Sequence, residues 1–191
     1  MHRHEARQHS SIHHLGHFNF LFTGWGSRIY DGVMVRLTRR LYQRVITDLA
    51  ALRLVEGKVL DVGTGAGAPG LALAILRPDL RVTLSEPLGK RAAFLRTAVG
   101  AIGRSDVVIE RKRGELLGGR RAWDVAISRA TLAPQQWLEL GVTLAAPGGS
   151  VWVLLAKEDA PTHGRAHAEE EVSYAWPLTG GARRAVRYLV L

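Results

Sequence analysis

Val59-Leu60-Asp61-Val62 reads as a buried strand, and it runs without a break into Gly63-Thr64-Gly65-Ala66-Gly67-Ala68-Pro69-Gly70, after which a helical pattern begins. Few chains can accommodate four glycines in eight residues at that point. Strand, glycine turn and helix in this order are the opening unit of a doubly wound α/β sheet, in which ligands bind beyond the carboxyl ends of the strands. Glycine there lets the backbone come close to a ligand. A second strand ends at Glu86, about 19 residues past Gly67. A carboxylate at that place can accept both ribose hydroxyls of an adenosine.

Gly65-Ala66-Gly67-Ala68-Pro69-Gly70 also satisfies G-x-G-x-x-G, so a nicotinamide dinucleotide is one reading of the turn, and a tight turn with no ligand is another. Two features favour the methyl donor S-adenosylmethionine. Asp61 sits within the strand end, where its charge can hold the loop and face the donor's cationic amino-acid end. The chain also finishes in two β-rich runs rather than in a second βαβ half.

Those runs complete a simple alternation. Strands are expected at Lys58–Val62, Arg81–Glu86, Val107–Glu110, Trp123–Ser128 and Ser150–Ala156, with helices near Gly70–Leu76, Leu88–Ile102 and Gln135–Leu144. Alternating strands and helices imply parallel pairing with crossover connections. After Glu169–Glu171, runs near Val172–Trp176 and Arg184–Val190 flank a short loop with Pro177, Gly180 and Gly181, which predicts an antiparallel hairpin. The expected architecture is a doubly wound, mostly parallel, seven-stranded Rossmann-like sheet closed by an antiparallel pair.

Upstream, Val33, Leu37, Leu41, Val45 and Leu49 recur every fourth residue, as on an amphipathic helix lying against a sheet. Residues 1–30 differ, with six histidines (His2, His4, His9, His13, His14 and His17) followed by the aromatics Phe18, Phe20, Phe22, Trp25 and Tyr30. They read as an extension, either partly disordered or a lid reaching to about residue 34, with 31–191 as the main domain. The histidine spacing lacks a rigid register for a metal, so no metal site is expected.

The chain has no cysteine, which removes disulfides, thiolate-bound zinc, iron–sulfur clusters and a cysteine nucleophile, and makes a reducing cytoplasm the simplest compartment. No apolar run reaches the 18 or so residues of a membrane span, and no signal-peptide pattern is visible, so no membrane partner is expected. A net charge of +9, carried mostly by arginine, favours polyanions through counterion release, although a GC-rich genome inflates arginine as well.

Four segments carry a family resemblance: DVGTGAGAPGLALAILRPDLRVTLSEPLGKRAAFLR from Asp61 to Arg96, Arg113-Gly114-Glu115, WDVAISRATLAP with Ser128-Arg129-Ala130, and PGGSVWVLLAKE with Lys157. Through them the chain, from about Val59 to its end, resembles the GidB (RsmG) family of bacterial small-subunit ribosomal RNA guanine-N7 methyltransferases. Arg187-Tyr188-Leu189-Val190 is a weaker match. The family usually has Asp at the position of Glu86 and Gly at that of Glu158, and the N-terminal part departs from its pattern. That part, from Arg28-Ile29-Tyr30-Asp31 onward, looks like the entry of general small-molecule methyltransferases.

The resemblance implies a cytoplasmic class I S-adenosylmethionine-dependent enzyme whose partner is ribosomal RNA or the small ribosomal subunit. Donor contacts are expected from Asp61, Gly63, Thr64, Gly65, Gly67, Pro69, Glu86 and Pro87, with Arg113, Gly114 and Glu115 on the adenine side. Arg129 is expected to serve both donor and acceptor, and Lys157 to bind RNA phosphate or the guanine carbonyl oxygen. Lys90 and Arg91 either bind phosphate or merely cover apolar surface. Guanine N7 already has an in-plane lone pair, so no general base is required, and alignment alone can supply up to roughly 7–11 kcal/mol. A small-molecule acceptor and a binding protein without turnover are the competing readings.

Overall fold

A computed structural model describes residues 57–175 and 180–191. The expected helix at Val33–Leu49, the histidine-rich start and the segment 18–34 lie outside the described residues. Within them, β1 (Lys58–Val62), α1 (Gly70–Leu76), β2 (Arg81–Ser85), α2 (Gly89–Ala101), β3 (Val108–Glu110), a 3-10 turn (Gly114–Leu117), β4 (Trp123–Ser128), α3 (Pro134–Leu144), β5 (Ala145–Leu155), β6 (Ala166–Ala175) and β7 (Ala182–Val190) follow one another. They form one seven-stranded sheet in the order β3-β2-β1-β4-β5-β7-β6. The strands β1 to β5 pair in parallel, and β7 runs antiparallel to both β5 and β6. The doubly wound sheet with its antiparallel closing pair is therefore as the sequence predicts.

Burial follows from the sheet's position. The central strand β1 is covered on both faces, so Val59 and Leu60 are both fully buried although they point opposite ways. Val59 joins Leu73 of α1, Leu95 of α2, Ile127 and Trp152 in one core layer. Leu60 and Val62 join Leu138 and Val142 of α3, Val153 and Tyr188 in the other. Pro134 opens α3 at its first turn, where a missing backbone N–H costs nothing.

The structure departs from the expected boundaries by more than two residues at two strands. β5 starts at Ala145, not Ser150, because Ala145 pairs with Trp123 before the register shifts around Pro147-Gly148-Gly149. β6 starts at Ala166 and takes in the acidic run Glu169–Glu171, which the hydrophobic pattern alone had left outside the strand. Cross-strand ion pairs explain it. Arg187 meets Glu169 at 2.8 Å and Glu170 at 3.5 Å, and Arg184 meets Glu171 at 3.4 Å. Among the described residues, no helix is long and apolar enough to cross a membrane.

Candidate donor and acceptor sites

The glycine turn is tied to the two central strands from both sides. Gly63 and Thr64 donate their N–H groups to the Ser85 carbonyl at 2.8 and 3.2 Å, at the end of β2. Gly63, Gly65 and Gly67 adopt φ values of +66°, +59° and +103°, a backbone region in which a side chain is strained. Asp61, fully buried, holds the other side. Its Oδ2 accepts the Gly70 N–H at 2.8 Å and the Thr64 hydroxyl. Its Oδ1 is buried without a hydrogen-bond partner among the described residues. Burial pushes the Asp61 carboxyl up from 3.8 to about 7, against the opposing effects of Thr64, Gly70 and the Arg129 charge.

Glu86 follows β2 and is 2 % exposed. Its Oε2 accepts the Gly65 N–H at 3.0 Å and its Oε1 the Leu88 N–H at 2.9 Å. The carboxylate thus anchors the glycine turn and the entry to α2, a role the sequence did not suggest. Each oxygen keeps a second lone pair for a further donor. Beside it, Pro87 is exposed, and Arg113 and Glu115 flank the buried Gly114 at the 3-10 turn. A methyl group on Gly114 would come within 2.6 Å of Val62 Cγ1, so only glycine lets this turn pack on β1. The Ser85 hydroxyl donates to the Lys112 carbonyl at 2.8 Å and holds the same segment. Asp61, the turn, Glu86 and Arg113-Gly114-Glu115 therefore gather at the carboxyl ends of β1, β2 and β3.

A cleft of about 300 Å³ lies on the other side, beyond β4 and β5, and Arg129, Thr131, Trp137, Glu158, Tyr174 and Arg183 are among its walls. Arg129 follows β4 and enters the cleft from a tight turn in which Ala130 has φ +55°. Ser128 fixes that turn by donating its hydroxyl to the Val62 carbonyl at 2.8 Å and by a hydrogen bond with Thr131. Lys157 and Glu158 are both exposed, and of the two only Glu158 lines the cleft. The N–H groups of Ala156 and Lys157 donate to Glu158 Oε2 at 2.7 and 3.0 Å. The residue's own N–H, and then these two bonds, hold the Glu158 carboxyl below its ordinary value.

Sequence reasoning missed Glu158, Trp137, Tyr174 and Arg183 as wall residues. Glu158 did stand out as a departure from a resembling family. Tyr174 and Arg183 face each other across β6 and β7, and only the insertion of β7 beside β5 brings that pair to the cleft.

The sheet order, the glycine turn after β1 and the carboxylate after β2 define a class I S-adenosylmethionine-dependent methyltransferase fold. Solved structures agree on that fold. The Burkholderia thailandensis 1,6-didemethyltoxoflavin-N1-methyltransferase matches at a TM-score of 0.61 and 15% identity, over 97% of this chain and 92% of that one. TrmN from Thermus thermophilus matches at 0.57 and 20%, over 75% and 48%. Within that class, residues 14–179 match the family model described as GidB, rRNA small subunit methyltransferase G, and the chain belongs to that family.

It is similar to the ribosomal RNA small subunit methyltransferases G of Nocardioides sp. (42% identity over 61% of this chain and 48% of that protein) and Acidothermus cellulolyticus (39% over 70% and 59%). The protein of that name from Laribacter hongkongensis is 38% identical over 74% of this chain and 68% of its own length. The matched part thus spans about half to two thirds of these relatives.

Proposed function

We propose that this chain is an S-adenosylmethionine-dependent methyltransferase of the cytoplasm that methylates guanine N7 in small-subunit ribosomal RNA, with residues 31–191 as its methyltransferase domain. Membership in the family supports the reaction, and the observation that carries it at the site is the buried, partnerless Oδ1 of Asp61. A group that has lost water without gaining a partner is costly, and an ammonium ion beside it removes that cost. The amino-acid end of S-adenosylmethionine carries such an ion, so the residues present fit the donor. Glu86 has lone pairs left for ribose hydroxyls, and Arg113-Gly114-Glu115 lies where the adenine would lean.

When bound, the donor supplies a methyl group on a positively charged sulfur. An acceptor nitrogen with its own in-plane lone pair, such as guanine N7, would need no general base to receive it. The chain's own work is then to align and to exclude water. Asp61 and Glu86 fix the donor, and Arg129, standing between the donor turn and the cleft, positions the acceptor with its planar fork. The direct test is transfer of tritiated methyl to small-subunit particles, to naked ribosomal RNA and to a metabolite extract. Label in the extract alone would replace this reading with a small-molecule acceptor.

Two substitutions separate donor from acceptor. Glu86→Ala is expected to weaken S-adenosylhomocysteine binding by roughly ten- to a hundredfold, the worth of a charge-assisted hydrogen bond of about 1.5–3 kcal/mol. Calorimetry that finds affinity within twofold of wild type would place the ribose elsewhere. Arg129→Ala is expected to keep donor affinity and to slow transfer at least about tenfold, with little rescue by Arg129→Lys. A sharp fall in melting temperature instead would make the residue structural.

A further inference from the structure

We propose that Glu158 reads the target base, its carboxylate accepting the N1–H and N2–H groups of guanine inside the cleft beyond β4 and β5. The inference rests on the guanine-N7 reading given above and adds a residue by which this chain, with Glu where the family usually has Gly, reads the base.

The cleft has the walls for a flat heterocycle. Tyr174 and Trp137 supply aromatic surface, Arg129 and Arg183 supply cationic donors, and Glu158 is the carboxylate among its walls. A carboxylate can only accept. Among the four bases of RNA, guanine alone presents two N–H groups side by side on its Watson–Crick edge. Uracil sets one N–H between two carbonyl oxygens, which repel a carboxylate, and adenine and cytosine each place a ring acceptor next to the amino group.

Glu158 is also held in the form and place this task requires. Two strand-end N–H groups grip Oε2 at 2.7 and 3.0 Å and leave Oε1 outside that pair of bonds. The residue's own N–H, and then the same two groups, favour the charged carboxylate, which can only accept.

The order of the strands gives the orientation. Across the sheet the groups run from Glu158 after β5, through Arg129 after β4, to the turn after β1, because β4 lies between β5 and β1. Around the edge of guanine the groups run N2, N1, O6, N7. Matching the two sequences puts N1 and N2 on Glu158, O6 on Arg129, and N7 toward the methyl donor. Neighbouring strands lie about 4.8 Å apart, so the span from β5 to β1 is about 10 Å, enough for one base between the carboxylate and the donor. Methylation at N7 makes the ring cationic and N1–H more acidic. The bond to Glu158 therefore strengthens as the methyl is transferred, and an interaction that strengthens in the transition state raises kcat.

Inosine, which is guanosine without the N2 amino group, tests this directly. The methylated guanosine is first mapped on wild-type product, and synthetic RNA hairpins are made with guanosine or inosine at that position. Wild-type protein is expected to prefer guanosine by about tenfold or more in kcat/KM, the effect of losing one hydrogen bond to a charged group. In Glu158→Gln, which keeps an oxygen for the strand-end N–H groups, transfer to guanosine should fall about tenfold or more. Its preference over inosine should shrink to within about twofold, while S-adenosylhomocysteine affinity stays at the wild-type value. A Glu158→Gln protein that transfers at the wild-type rate, or keeps the full preference, overturns the assignment even though the enzyme methylates RNA. A wild-type protein that labels no RNA overturns the functional reading, and this inference falls with it.

Discussion

Affinity for S-adenosylhomocysteine is expected to rise about tenfold for each pH unit between roughly 5 and 7 and to level off above. The cause is Asp61, whose carboxyl burial pushes up to about 7. Below that pH the buried acid holds its proton, and it must release it before it can pair with the ligand's ammonium ion. Calorimetry at pH 6 in buffers of different ionisation enthalpy should show release of close to one proton per ligand, and at pH 8 almost none. Affinity that stays flat from pH 5 to 8 would remove the ammonium from Asp61.

The sign for folding is the reverse. Between about pH 4 and 7 the unliganded native state keeps a proton on Asp61 that the unfolded chain has lost, so its stability declines as pH rises through that window and is constant beyond it. Donor binding and protein stability therefore pull against each other at this residue, as expected where a site stores an unsatisfied group.

Gly70→Ala is expected to destabilise the protein by about 3 kcal/mol, the upper end for overpacking, and to lower the melting temperature by roughly 6–12 °C. A methyl group there would stand 2.5 Å from Leu84 Cδ2 and 2.7 Å from Asp61 Cβ, with α1 resting directly on the sheet. Moving the helix away also draws the Gly70 N–H from Asp61, so donor affinity should fall in step. Gly100→Ala in α2 is the control, because among the described residues nothing beyond its own helix turn and chain neighbours lies within 4 Å of the added methyl. That change should stabilise by about 0.5–1 kcal/mol through helix propensity. Equal melting temperatures for the two variants would mean that the helix–strand contact is looser than described.

The donor half was legible in the sequence because it is local. Asp61, the glycine turn and Glu86 fall within 26 consecutive residues, and the turn that follows a strand fixes where its side chains go. Period-two and helical patterns likewise located every described strand and helix, with errors only at ends such as Ala145 and Ala166, where long-range pairing decides. The acceptor half was less legible. Lys157 and Glu158 are adjacent, and no local pattern says which of them meets the cleft. Tyr174 and Arg183 reach it because β7 lies between β5 and β6, an order that chain position does not reveal.

The same strand order divides the protein by age as well as by role. Everything proposed to grip the donor has been synthesised by Arg129, but the cleft is not walled until β6 and β7 are in place near the end of the chain. Arg129, which lines the cleft, stands at the boundary between the two halves. Changes in the closing hairpin can therefore alter which base is accepted while the donor machinery stays intact. Divergence of substrate within such a lineage should be written in its last thirty or so residues, with the glycine turn left as it was.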